Sequence, residues 1–245
     1  MISRLIKILL TINIMVLSMS SNAAVEVTLN ETDYSFGVNP RLSDVLAPVA
    51  FEEDWYWPAS RLFKRSSNAS EAMRSQVIAL LAENGISESK YKATYQSIIN
   101  QIKNWQLADR ITITIDYELA RISAKHNPRV ESGQYQLILS KRPSTLHVFG
   151  AVETPVEIIY QNNTCIEDVV SQMKLAEHAD PSFVYLISPQ GKVQKTPVAY
   201  WNKTCVLAMP GSMVYVPLQE SAFFPSNNDV NQKVAELAVN RIAIP

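Results

Sequence analysis

Between residues 68 and 105 the apolar side chains recur every three or four positions, whereas on both sides of that stretch they alternate. Met73, Val77, Leu80 and Leu81 form one helical stripe; Tyr91, Tyr95, Ile98, Ile99, Ile102 and Trp105 form a second. Asn68-x-x-Glu71 resembles a capping box, Asn84-Gly85 is expected to end the first helix in the left-handed conformation, and Ser87 can cap the second. Two helices joined by so short a turn must pack antiparallel. A helical hairpin is therefore expected inside a chain that otherwise reads as strands.

The flanking sequence repeats itself. Val25–Leu29 alternates apolar and polar, Leu42-Ser-Asp-Val-Leu46 is a short helix capped by Ser43, and residues 133–139 read as a strand after the Asn127-Pro128 turn. Ile111, Ile113 and Ile115 alternate with Thr112, Thr114 and Asp116 directly after the hairpin. In the second half, residues 146–149 answer the first strand and residues 166–170 answer the short helix. Residues 183–192 answer the aromatic stretch that starts at Trp55, and residues 211–216 answer 133–139. Each copy predicts an α+β roll with a helix across one sheet face. Asn227-Asn228-Asp229 then caps a terminal helix with Val230, Val234, Leu237 and Ala238 on one face. About 14 residues give roughly 21 Å, too short to span a bilayer. Such a helix either docks on its own protein or detaches toward a membrane or partner. The expected organisation is a first domain over 24–143 with the hairpin at 68–105, a second over 144–222, and a terminal helix over 223–245.

Residues 1–23 have the pattern of a cleavable signal peptide: Arg4 and Lys7, an apolar run, then small residues up to Ala23. Export is the expectation. Lys and Arg number 22 against 23 Asp and Glu, so removing Arg4 and Lys7 leaves the mature chain near −3. No basic field exists to hold nucleic acid. In an oxidising compartment Cys165 and Cys205, the chain's 2 cysteines, are expected to pair. They lack the Cys-x-x-Cys spacing of a redox pair.

No catalytic constellation stands out. His126, His147 and His178 lie apart without ligand-like spacing, there is no nucleophile elbow, and no glycine-rich phosphate loop precedes a helix. No catalytic residue, metal or cofactor is expected. His147, opposite Leu146 and Val148 on its strand, is expected to face solvent. Trp55, Tyr56 and Trp57, with Tyr200-Trp201, suit either core packing or a stacking platform for sugar rings. Arg110 shares a strand face with Thr112 and Thr114; a lone arginine there is normally on the surface, but the junction of hairpin and sheet makes a pocket possible. Its planar fork suits the carboxylate or hydroxyl groups of an acidic polysaccharide.

Several segments, in order, resemble the capsule biosynthesis GfcC family. They are Leu42-Ser-Asp-Val-Leu46, Tyr56-Trp57-Pro58-Ala59-Ser60, Asn127-Pro128, Gly133-Gln-Tyr135, Arg142-Pro143 and Val148-Phe149-Gly150. The later run Tyr185-Leu-Ile-Ser-Pro-Gln-Gly191, Ala199-Tyr-Trp-Asn202 and Pro210-Gly211 continues the likeness. The resemblance implies two tandem β-grasp (ubiquitin-like) domains, the first carrying a helical hairpin, and a C-terminal amphipathic helix. It implies a periplasmic protein encoded with group 4 capsule or related exopolysaccharide genes, with a layout similar to periplasmic domains of outer-membrane polysaccharide exporters. It also implies an interdomain pocket lined by an arginine. Arg110 is the matching position, Arg121 the competing one, and Tyr56 and Trp57 are the expected neighbours. The expected role is non-enzymatic: binding polysaccharide or the outer-membrane export machinery, as a monomer without a membrane span. A pure scaffold and a polysaccharide-modifying enzyme are the alternatives.

Overall fold

A computed structural model describes residues 25–37, 39–65, 67–202, 204–219 and 226–242. The leader read over residues 1–23 lies outside them. The first half contains β1 (Val25–Leu29), β2 (Thr32–Phe36), α1 (Leu42–Leu46), β3 (Arg61–Lys64), α2 (Ala69–Ser87), α3 (Lys92–Lys103), β4 (Asp109–Ile111), α4 (Tyr117–Ile122) and β5 (Gly133–Ile138). The second contains β6 (Thr145–Gly150), β7 (Val156–Ile159), α5 (Ile166–Ser171), β8 (Phe183–Ile187), β9 (Val193–Pro197), β10 (Met213–Val216) and α6 (Ser226–Ala238).

The strands form two five-stranded sheets, ordered β2-β1-β5-β3-β4 and β7-β6-β10-β8-β9. The two orders are the same path traced twice. In each, the first strand runs parallel to the last at the centre, with Val27 opposite Tyr135 and Val148 opposite Val214. All other pairings are antiparallel. Parallel neighbours need a long crossover, and each half supplies one that carries its short helix. Leu42, Val45 and Leu46 of α1 close over Val25, Val27 and Leu137; Ile166, Val169 and Val170 of α5 belong to the core of the second sheet.

The hairpin forms, but its ends differ from the local signals. Asn68 occupies the N-cap position of α2 without a side-chain cap. The Asp109 carboxylate instead accepts the backbone N–H groups of Ala69 and Ser70, at 3.0 and 2.6 Å. Helix α2 continues past Gly85 to Ser87, and Gly85 does not take a positive φ. Its role is close approach: a Cβ there would sit 3.0 Å from Cβ of Tyr95 on the facing helix. Ser87 does not cap α3, which starts after Tyr91; its hydroxyl donates back to the Glu83 carbonyl. Helix α1 likewise starts after Arg41, whose N–H donates to Asp44, while Ser43 is held by the side chain of Asn127. Residues 227–229 form the first turn of α6 rather than preceding it, and their side chains are outside the description.

The hairpin belongs to the first half in sequence and to the second in packing. Val77, Leu81, Tyr95, Ile98 and Ile102 share one core with Phe149, Tyr185 and Tyr215, and that core takes in Val230, Val234 and Leu237 of α6. Polar contacts fix the seam. Gln101 donates to the Gly150 carbonyl at 3.0 Å and accepts the Gly150 N–H at 2.9 Å. Thr94 donates to the Glu177 carbonyl, while Glu88 meets His178 at 2.6 Å with Tyr91 stacked on the imidazole. Cys165 and Cys205 are joined as a disulfide with their Cα atoms 5.0 Å apart. Closing a loop of 40 residues of sequence separation stabilises by about 4 kcal/mol in the chain-entropy account. Among the described residues no helix is long and apolar enough to cross a membrane.

Candidate functional site: an arginine-lined cavity between the two units

Register explains how two arginines come together on the first sheet. In β3 the side chains alternate, so Leu62 enters the first core while Arg61 and Phe63 point to the opposite face. Phe63 lies opposite Arg110 in β4, which puts Arg110 on that same face. The segment after α6 then crosses this face. The Asn240 side chain accepts the Arg110 backbone N–H at 3.0 Å, and the Arg241 carbonyl accepts from Arg61 Nη1 at 3.1 Å.

Between that face and the end of the second sheet lies a cavity of about 180 Å³. Its walls carry Arg61, Arg110, Arg241, His147 and Ser212, with the Ser188-Pro189 turn on one side. Arg110 is tethered by donating Nη2 to the Pro189 carbonyl. Gly191 leaves room for it: a Cβ there would come within 3.3 Å of the guanidinium carbon. Arg241 is almost fully buried, 3% exposed. Its guanidinium lies over the rings of Trp105 and Phe149, 4.9 and 5.6 Å from their centroids, a cation–π arrangement in place of an ion pair.

The electrostatics are one-sided. Among the described residues no Asp or Glu lines the cavity, and none of the three arginines takes part in an ion pair. Burial, reinforced by the charge of Arg61, pulls Arg110 and Arg241 down to about 10 from the usual arginine range. Burial also lowers Arg61. His147 is pushed down to about 4, first by burial and then by Arg241, so the imidazole is neutral at pH 7. Among the described residues Arg241 Nε, His147 Nδ1 and Ser212 Oγ are buried without hydrogen-bond partners.

His147 does not face solvent as strand alternation suggests; it is 7% exposed. Both faces of β6 are covered, one by α5 and the other by the hairpin and the chain after α6, so neither face is open to water. Arg110 lines the cavity, but Tyr56 and Trp57 do not. Trp57 sits in a separate depression with Thr112 to Asp116, Gln190 and Lys192. Tyr56 lies under the Arg142 guanidinium, 5.2 Å away, in a surface hollow with Trp55 and Glu53. Trp55 and Trp57 pack on the first core, while Tyr200 and Trp201 project from a surface turn. Arg121 is on the surface, paired with Glu118 at 3.3 Å. Cys165, Glu167 and Cys205 lie close enough to suggest metal ligands, but the two sulfurs are spent on the disulfide.

Sequence marks neither Arg61 nor Arg241 as a site residue, and it assigns His147 to a solvent-facing position that the fold buries. Alternation in residues 61–64 signals only which face Arg61 takes. Nothing local marks Arg241, because its position depends on the chain after α6 returning to the first sheet.

These features define a mixed α/β protein of two like units, locked by a hairpin and a terminal helix around a cationic cavity. The chain belongs to the capsule biosynthesis GfcC family, whose N-terminal model matches residues 21–142 and whose C-terminal model matches residues 154–243. It is also similar to the uncharacterized protein YjbG of Escherichia coli strain K12, 29% identical over 203 residues that make up 82% of each chain.

Proposed function

We propose that the protein is a periplasmic accessory factor in the assembly or export of a capsular polysaccharide or exopolysaccharide, acting by binding rather than by chemistry. Family membership carries the polysaccharide role. The binding reading rests on the cavity, where donors and positive charge converge and no carboxylate of the described residues serves as base or nucleophile. The signal-like pattern of residues 1–23 supports export to the periplasm. The strand order of each sheet, with its short helix on one face, supports two tandem β-grasp units.

In this reading the hairpin and α6 hold the two units in fixed relation, so the cavity is preformed and the ligand need not organise it. The ligand is a segment of the polysaccharide, presented to the export machinery by a protein that does not itself span the membrane. An in-frame deletion in the host, with a complemented control, tests the role. Surface polysaccharide should fall while polymer synthesis continues. Unchanged surface polymer, with no second copy of the gene present, overturns it.

A further inference from the structure

We propose that the cavity is a receptor for a single acidic sugar residue, its carboxylate held by Arg61, Arg110 and Arg241 and its hydroxyls met by Ser140, Thr145 and Ser188. This rests on the glycan-binding reading above and adds the chemical class of the ligand. Three guanidinium groups line one small space with no acidic side chain of the described residues among the walls. Taking such charges out of water without a counter-charge is costly, and unpartnered buried donors add to the cost. Arg241 Nε, His147 Nδ1 and Ser212 Oγ are such groups, in residues 3%, 7% and 1% exposed. An anion in the cavity supplies the missing counter-charge.

Shape narrows the class. A carboxylate is planar and matches the guanidinium fork two bonds at a time. The cavity, about 180 Å³, exceeds the roughly 150 Å³ void that is known to admit a benzene ring, so one sugar ring is the scale of ligand that fits. Ser140, Thr145 and Ser188 supply hydroxyls around it. An acidic side chain of a peptide would bring the carboxylate but would leave these hydroxyls unmatched. A uronic acid brings both.

The test uses the exported chain with its disulfide intact, titrated by calorimetry and by the side-chain NMR signals of arginine. The probes are D-glucuronate, D-galacturonate, D-glucose, inorganic phosphate and a blocked glutamate amide. A uronate should bind saturably at least tenfold tighter than glucose, raise the melting temperature, and lose at least tenfold affinity in Arg110→Gln and in Arg61→Gln. Equal binding of glucose and glucuronate overturns the acidic-sugar assignment while leaving a glycan site. Phosphate or the glutamate amide binding more tightly than either uronate also overturns it. If no sugar binds, yet deleting the gene still depletes surface polymer, the assignment fails and the accessory role survives. Should either variant fold poorly, the selectivity of the unaltered protein decides alone.

Discussion

The two sheets follow the same path, yet they differ in what covers them. In the first, the face turned away from α1 is open at the β2-β1 end, where Glu26, Thr28 and Gln134 form a polar surface. In the second, both faces of β6, β8 and β10 are buried. The difference comes from the hairpin. Inserted between β3 and β4, it leaves its own sheet and covers its neighbour, and α6 completes the cover. A large apolar face left exposed would invite association, so this arrangement makes the second unit dependent on a piece of the first. It also sets the cavity where open face meets covered face.

The largest test of that contrast compares Phe149→Ala with Thr28→Ala. Both residues lie in strands at the centre of their sheets, but Phe149 packs against Trp105, Tyr215 and Arg241 whereas Thr28 is on the open side. Truncating the buried phenylalanine should cost about 3–5 kcal/mol. The threonine change should stay within about 0.5 kcal/mol. Chemical denaturation measures both, and equal losses would mean that the covered face contributes no more than the open one.

Asn231→Leu probes how α6 is held. Its side-chain oxygen accepts the Tyr215 hydroxyl and the Leu218 N–H, each at 3.0 Å, while its amide donates to the Leu218 carbonyl at 2.8 Å. Leucine fills the space and leaves three buried polar groups unpaired, a loss of about 2–4 kcal/mol. Hydrogen exchange should show α6 and β10 losing protection ahead of β1 and β5. A uniform loss would make the protein one cooperative unit and weaken the contrast. Truncating residues 227–245, an obvious way to test a detachable tail, would instead remove part of the core.

How much of this was legible in sequence follows the range of the interactions involved. The hairpin, its two stripes, the repeat and the cysteine pair are patterns of neighbours or of parity, and all are present in the structure. Strands β2, β7 and β9 and helix α4 carry weaker local patterns, and sequence does not single them out. Gly85 reads locally as a helix stop, but its packing against Tyr95 in the next helix decides its conformation. Asp109 reads as nothing in particular, yet it caps α2 from 40 residues away in sequence. Burial raises its carboxyl, and hydrogen bonds from Ser67, Ser70 and Ala69 outweigh that and hold it below its ordinary range. Arg110 could be suspected from its place at the end of the hairpin. Its partners Arg61, Arg241 and His147 come from three separate segments, joined only when the two sheets and the chain after α6 are assembled.

His147 offers the finest discrimination, because strand alternation and the assembled fold disagree about it. Its folded-state pKa is about 4, against 6.5 for an ordinary histidine. The unfolded chain therefore takes up a proton first as pH falls, and stability declines through about pH 6.5 until the folded form also titrates near 4. Between about pH 7.5 and 5 the loss should reach about 2 kcal/mol, since each unit of pKa difference is worth about 1.4 kcal/mol. His147→Gln should remove this slope and leave only what the remaining groups contribute. An unchanged slope in the variant would return His147 to the solvent-facing position that alternation suggests. A uronate bound beside it acts in the opposite sense to Arg241, stabilising the imidazolium, raising its folded-state pKa and so shortening the decline. Measuring unfolding at pH 5 with and without glucuronate thus connects the covered sheet to the cavity at its edge.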